Sequence, residues 1–401
     1  MPIYLTLAKN RTSQLLKKYW FLLGLAIVIL LACQFPNVAR KEGYIHAEWS
    51  IKWGAVIIIF LISGMSLRTR ILAQTILRVR LHFLIQFINL VIIPFFVFGL
   101  VLLLFKAQVP LSSLLLIGVV IAASTPTTVS SNVVMTKNAQ GNEASALMNA
   151  ALGNALGIFV SPALVSTFQG PLLDATPEDE SQNQVGGVVD FVSVLKQLGI
   201  TVMIPLAVGQ GFQWMFPEQV AKIKDKWRLS DVSSVCLLLM VWSVFSDAVY
   251  SGSFSSVTAK DIVVVAVMNA TFYIGFSLFC LLLARLPLPS FINTPPWVKR
   301  LRYSREDTVA VMYCGATKTV AMGVPLINVL YQNANAGIVG VLSTPLLLYH
   351  VEQLILGNLE VELLKKWVLA GRQEEEEVLP TTTTVPCRES VSTSSNKYLD
   401  E

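Results

Sequence analysis

The sequence predicts an all-α polytopic membrane protein of ten transmembrane helices, arranged as two inverted repeats of five. Three observations carry that prediction. The 401 residues are 54% hydrophobic and only 14% charged, about half the charged share of a soluble domain, so much apolar surface must face lipid. Ten apolar runs are long enough to cross about 30 Å of hydrocarbon, which takes about 20 helical residues. The basic residues also gather in every second connection between those runs, on one side of the membrane.

The runs lie near 18–35, 51–67, 81–105, 111–136 and 143–169, then 190–216, 231–248, 261–286, 306–330 and 336–359. They are too long and continuous for the alternating strands of a barrel. Ten spans place 23 of the 30 basic residues on one side and six on the other, with Lys318 inside a span. The crowded side holds Lys17, Arg78, Lys222 to Arg228, Arg300 and Lys365, and is cytoplasmic by the positive-inside rule, as are both termini. The chain then divides into a cytoplasmic N-terminus (1–17), a first repeat (18–170), an acidic extracellular loop (171–188) and a second repeat (189–367). Residues 368–401, with Glu374 to Glu377 and many Ser and Thr, read as a disordered cytoplasmic tail. Lys9 to Lys18 precede the first run, which reads as a membrane helix rather than a cleaved leader, since many similar spans follow.

Two spans are spoiled in the middle, and they occupy corresponding places in the two halves. The fourth runs through Ser124-Thr125-Pro126-Thr127-Thr128-Val129-Ser130-Ser131-Asn132. Proline removes a donor and clashes one turn back, and backbone groups freed in this way must be buried in protein or line a wet cavity. The ninth contains Tyr313-Cys314-Gly315-Ala316-Thr317-Lys318-Thr319. An ammonium at mid-bilayer costs about 3 kcal/mol on insertion scales. Lys318 stands about a dozen residues, or about 18 Å of helix, from either end, too far for its stem to snorkel. Opposed helix breaks meeting near the midplane bring half-helix ends together, where amides attract anions and unwound carbonyls coordinate cations. Lys318 at such a crossing either stands in for a bound cation or pairs with an anionic substrate.

Further polar residues lie within or at the ends of spans: Gln86 and Asn89 before Pro94, Glu143 opening the fifth span, Ser145, Asn149 and Asn154 inside it, and His350 with Glu352 in the tenth. Each taken alone is an interhelical hydrogen-bonding residue. Gly153 and Gly157 mark a close helix contact. The five cysteines share no metal-ligand spacing, and only three histidines occur, so no metal, cofactor or enzyme motif is expected. The net charge of +5 forms no continuous basic stripe, which argues against nucleic acid.

Across residues 15–367 the chain resembles the bile acid:sodium symporter superfamily. The resemblance rests on Pro126 to Val134, Gly141-Asn142-Glu143-Ala144, Gly157 to Pro162, Thr308 to Pro325 and Tyr349-His350. It is strongest to the sodium/bile acid cotransporter 7 branch, with its fungal members that restrain calcium entry. The resemblance implies a panel domain and a core domain, with broken helices four and nine crossing in the core. It also implies a sodium site in coupled members, to which Ser131 and Asn132 correspond directly. On the fifth helix, strict register gives Ala146 and Ala150, with Ser145 and Asn149 one residue away. On the ninth helix, the family's glutamate and glutamine become Tyr313 and Thr317, with Lys318 beside them.

The candidate solute or ion site is therefore Lys318, Thr317, Thr319, Thr127, Thr128, Ser131, Asn132, Asn149, Ser145, Asn89, Gln86, Tyr313, Glu143 and His350. The expected function is a carrier-fold solute transporter of the plasma membrane, not coupled to sodium or bile acid, acting as a negative regulator of calcium influx. Its partners are lipid, a small solute or ion, and a calcium channel or its regulator. Two alternatives are a non-transporting regulator that binds a calcium channel or pump, and a sodium-coupled organic anion symporter.

Overall fold

The computed structural model describes residues 20–66, 77–176, 196–285, 302–331 and 337–378. The described residues are helical with no strands. In chain order the principal helices are α1 (Trp20–Gln34), α2 (Ala47–Ser66), α3 (Val79–Lys106), α4 (Ser113–Ser124), α5 (Ser130–Asn138) and α6 (Glu143–Asp174). They continue with α7 (Lys196–Met215), α8 (Leu229–Tyr250), α9 (Ala259–Arg285), α10 (Arg305–Ala316), α11 (Val320–Leu330) and α12 (Ile338–Val378).

Eight of the described helical segments are long and apolar enough to cross a membrane, α10 and α11 counting as one, whereas α1 and α4 are shorter apolar helices. The count differs from ten for a physical reason. The fourth span stops at Ser124, so α4 has 12 residues, about 18 Å, short of a bilayer by itself. The residues before Trp20, where the first span is expected to begin, lie outside the described ones. The lipid-facing surface is legible on α9, where Val263, Val267, Ile274, Leu278 and Leu282 are exposed along one stripe.

The helices pack in two sets. In the first, α2 lies against α7 and α8. Gly64 and Gly209 make that contact close, since a Cβ on either would strike the other helix's backbone, at Leu206 O or Leu61 O. In the second, α4 packs on α12 and α3, α10 packs on α9, α6 and α3, and α5 packs on α6. Nearly all of α10–α11 is enclosed: 94% of its most apolar stretch is buried, against 28–61% in the other long helices. The polar break in this segment is therefore surrounded by protein rather than lipid.

The tail expected to be disordered from residue 368 is instead helical as far as Val378. Its charges find partners: Arg372 pairs with Glu306 and Arg305 with Glu374, and Arg305 also donates to Trp367 O. Residues 379–401, and 177–188 of the acidic loop, lie outside the described residues. A helix not anticipated from the sequence, Pro217–Lys226, carries Lys222, Lys224 and Lys226.

Candidate functional site

The site is built where two chain breaks meet. Between α4 and α5 the chain is non-helical from Thr125 to Val129, and between α10 and α11 from Thr317 to Thr319. The two interruptions are joined directly, Thr319 N–H donating to Pro126 O at 2.9 Å. Proline at 126 prevents the helix from continuing, and Gly157 of α6 leaves room for its ring: a Cβ there would lie 2.6 Å from Pro126 Cγ. Gly153, one turn earlier, faces Thr127 and Gln86. Gly153 and Gly157 thus seat α6 against the break of the fourth span.

Lys318 is buried, 1% exposed, and its Nζ donates to two main-chain carbonyls, Asn89 O at 2.7 Å and Thr125 O at 3.0 Å. The Asn89 carbonyl is available for a reason written in the sequence. Residues Ile88–Ile92 form a π-helical turn in which Ile93 N–H reaches back to Ile88 O. In that register the Asn89 carbonyl would be served by residue 94, which is proline and has no N–H. An ammonium accepted by backbone oxygens occupies the kind of position a bound cation takes.

The remaining half-helix carbonyls are also capped internally. Asn89 Nδ2 donates to Gly315 O (2.9 Å) and Thr317 O (3.0 Å), and the Tyr349 hydroxyl donates to Ala316 O at 2.7 Å. On the other flank, Asn132 Nδ2 donates to the hydroxyls of Thr127 and Thr317, both at 2.7 Å, and these hydroxyls stand 2.9 Å apart. Asn154 ties in the Thr127 carbonyl at 3.0 Å. Lys318, Thr317, Thr319, Thr127, Asn132 and Asn89 therefore converge.

The other expected site residues fall into separate places. Thr128 and Ser131 bond each other at 3.1 Å and, with His350 and Thr319, line a cavity of about 310 Å³ beside the crossing. Gln86 and Asn149 pair with each other one layer away, together with His82. Ser145 lies nearer the end of its helix, against Arg78 and Asp307. Tyr313 points its hydroxyl to Gly357 O on α12. Glu143 stands at the surface and pairs with Lys137 at 3.5 Å. Glu143, one of the candidate site residues, is thus not at the crossing.

Two features escape a reading of the sequence. Gln353 grips the main chain of Lys318 at both ends, accepting its N–H and donating to its carbonyl, each at 2.8 Å. Its only signal is a polar residue next to His350 and Glu352, indistinguishable from an ordinary helix-contact residue. The second is a bidentate pair, Arg78 to Asp307 at 2.7 and 2.8 Å, which also takes a hydrogen bond from Asn142 at 2.8 Å. It locks the adjoining ends of α3, α6 and α10. Asp307→Ala would leave the guanidinium unpaired. Because Arg78 is 46% exposed, solvent softens the loss to about 1–3 kcal/mol, and a lowered thermal midpoint of the purified protein checks it.

A second cavity, about 660 Å³, is lined by Trp49, Trp53, Lys196, Pro325 and Asn328 among others. Helix α11 runs from one cavity to the other, its first residues facing the smaller and Pro325 and Asn328 the larger.

Similarity to known proteins agrees with this architecture. A profile of the SBF-like CPA transporter family matches residues 19–366. The chain is 34% identical over 376 residues to "Solute carrier RCH1" of Candida albicans, covering 88% of this chain and 89% of the relative. To the protein of the same name in Saccharomyces cerevisiae it is 35% identical over 385 residues, covering 91% and 88%. To "Sodium/bile acid cotransporter 7" of Danio rerio it is 33% identical over 358 residues, covering 89% and 96%. Those names describe carriers rather than enzymes. A membrane-embedded helical body, two interrupted helices tied together at their breaks, and this match over most of the chain lead to one conclusion: the chain belongs to the SBF-like CPA transporter family, within the bile acid:sodium symporter superfamily.

Proposed function

We propose that this protein is a solute carrier of the plasma membrane whose crossing site holds a built-in cation, and that it acts in calcium homeostasis as a negative regulator of calcium influx. The single observation that carries the reading is the Lys318 ammonium seated on the Asn89 and Thr125 carbonyls. A positive charge fixed there balances the negative half-helix ends without an ion from solution. A sodium ion about 4 Å away would be repelled by about 4 kcal/mol at an effective dielectric of about 20. The Asn132 amide is also fully engaged with Thr127 and Thr317. These observations disfavour the sodium-coupled organic anion reading.

On this reading the protein has ten spans. The fourth and ninth are each made of two half-helices (α4 with α5, α10 with α11), and the two inverted halves bring them into opposition. Helices α1, α2, α7 and α8 form the panel, the remainder the core, and both termini are cytoplasmic. Movement of the core past the panel would expose the crossing alternately to the two cavities at the ends of α11. The calcium role rests on similarity to the fungal relatives and on the branch they share.

A calcium-tolerance assay in a fungal strain lacking its own relative of the protein tests this. Asn132→Ala is expected to abolish tolerance while surface expression is maintained; full tolerance in that variant would rule out the crossing as the site. A second reading, a non-transporting regulator that docks on a calcium channel or pump, draws on the helix Pro217–Lys226, where Lys222 and Lys226 are exposed. Replacing Lys222, Lys224 and Lys226 by Gln separates the two. Loss of regulation with an intact crossing would favour docking.

A further inference from the structure

The connection between α7 and α8 is itself a helix, Pro217–Lys226, and its sides differ in character. Phe216 departs from helical geometry at the end of α7, and Pro217, which has no N–H, starts the new helix there. Hydrogen bonds from Val220 N–H to Phe216 O and from Trp227 N–H to Ile223 O, both 2.9 Å, carry the register across the two ends. At about 100° per residue, Phe216, Val220, Ile223 and Trp227 therefore share one apolar face. Lys224 and Lys226 flank that face on either side, about 70° and 90° from its centre, with Lys222 beyond Lys226. The two carboxylates, Glu218 and Asp225, lie on the opposite side, about 170° from the centre.

Val220 is the one covered member of the apolar face, because the helix packs mainly against the two spans it joins. Phe216 and Ile223 are exposed, and Trp227 is 68% exposed; Trp214, at 72%, and Met215 extend the patch. Both ends of the helix run into membrane spans, so it cannot leave the membrane surface. An indole stands near each end, at Trp214 and Trp227, and this residue type collects at the level of the lipid headgroups. Lysines beside such a face lay their stems along apolar surface and raise the ammonium to the headgroups. Lys222 and Lys226 are exposed. Arg228 is engaged by Asp231 at 2.6 Å and is left out of the surface.

We propose that the helix Pro217–Lys226 lies in the headgroup layer, on the membrane face that carries most of the basic residues, and binds anionic phospholipid there. Its apolar face enters the acyl layer, and Lys222, Lys224 and Lys226 meet the phosphates. Burial of an apolar face and attraction to negative lipid act together in such a helix, and each lysine at an anionic surface favours binding roughly fivefold. Lipid covers the face from insertion onward, whereas a protein partner would leave it in water until docking. The attachment makes the positions of α7 and α8 responsive to the charge of that leaflet. It does not depend on the carrier reading above, and the outcome for Asn132→Ala has no bearing on it.

A fluorescent reporter at position 223 tests this in the full chain, reconstituted with no other protein present. Cys33 and Cys387 are replaced by Ser, Cys236, Cys280 and Cys314 being buried, and Ile223→Cys is labelled with bimane. Lipids brominated on their acyl chains quench the label where they touch it. Brominated phosphatidylcholine is expected to quench. Brominated phosphatidylserine, diluted into unlabelled phosphatidylcholine, is expected to quench equally at a mole fraction about fivefold lower or less. Replacing Lys222, Lys224 and Lys226 by Gln is expected to make the two lipids equivalent while phosphatidylcholine still quenches. Should that variant fail to fold, Lys222→Gln with Lys226→Gln, both at exposed positions, is expected to lose the larger part of the preference. Quenching by neither lipid would place the face outside the bilayer, as docking to a protein requires, and overturns the proposal. An equal response to both lipids before the lysines are replaced, or a preference unchanged after it, also overturns it.

Discussion

Lys318→Met is expected to abolish calcium tolerance while the protein still inserts and reaches the membrane. The methionine stem fills nearly the same volume, so packing around α10 and α11 is kept. What disappears is the positive charge and two hydrogen bonds, leaving the carbonyls of Asn89 and Thr125 buried without donors. Each unsatisfied carbonyl costs about 1–3 kcal/mol. Part of that loss is offset because an ammonium no longer has to be desolvated. Stability is therefore expected to change little, whereas the charge balance at the crossing changes by a full unit. A variant that folds, traffics and yet fails in the tolerance assay separates function from folding. Lys318→Glu is expected to be more damaging still, since it places a carboxylate against two carbonyl oxygens.

Gly157→Leu is expected to be the most destabilising substitution in α6. Any Cβ at this position would lie 2.6 Å from Pro126 Cγ and 2.9 Å from its Cβ. A proline ring cannot rotate away, so either α6 or the break must move. Overpacking of this kind costs about 1–3 kcal/mol, and here it also shifts Thr127 and Asn132 relative to Thr317. A Cβ added at Gly170, in the same helix, would meet nothing within 4 Å. Gly170→Ala is expected to be neutral or to stabilise by up to about 1 kcal/mol, through helix propensity. Thermal unfolding of the two purified variants, with calcium tolerance measured in parallel, checks the contrast.

The two breaks are legible in the sequence because their signals are chemical and local. Pro126 sits in a run of hydroxyls, and Lys318 beside Gly315 is a charge with no short route to water. Periodicity locates the long helices to within a few residues, as with 81–105 against Val79–Lys106 and 261–286 against Ala259–Arg285. What the sequence hides is pairing across elements. Ser145 and Asn149 look equivalent on one helix, yet one meets Arg78 and Asp307 while the other meets His82 and Gln86. Glu143 looks intramembrane because an apolar run follows it, but it begins a helix and faces outward. The extension of α12 to Val378 is hidden for the same reason: Glu374 is a solvated charge until Arg305 is placed beside it. Gln353 is invisible because its importance depends on which main-chain atoms lie opposite.

If the Lys318 ammonium fills the position a coupling cation would take, the crossing has no room for sodium. Equilibrium binding of radioactive sodium to the purified full-length protein, across a range of sodium concentrations, addresses this directly. No saturable sodium binding is predicted for the wild type. Saturable binding of one sodium ion per protein, lost in Asn132→Ala, would contradict the built-in cation.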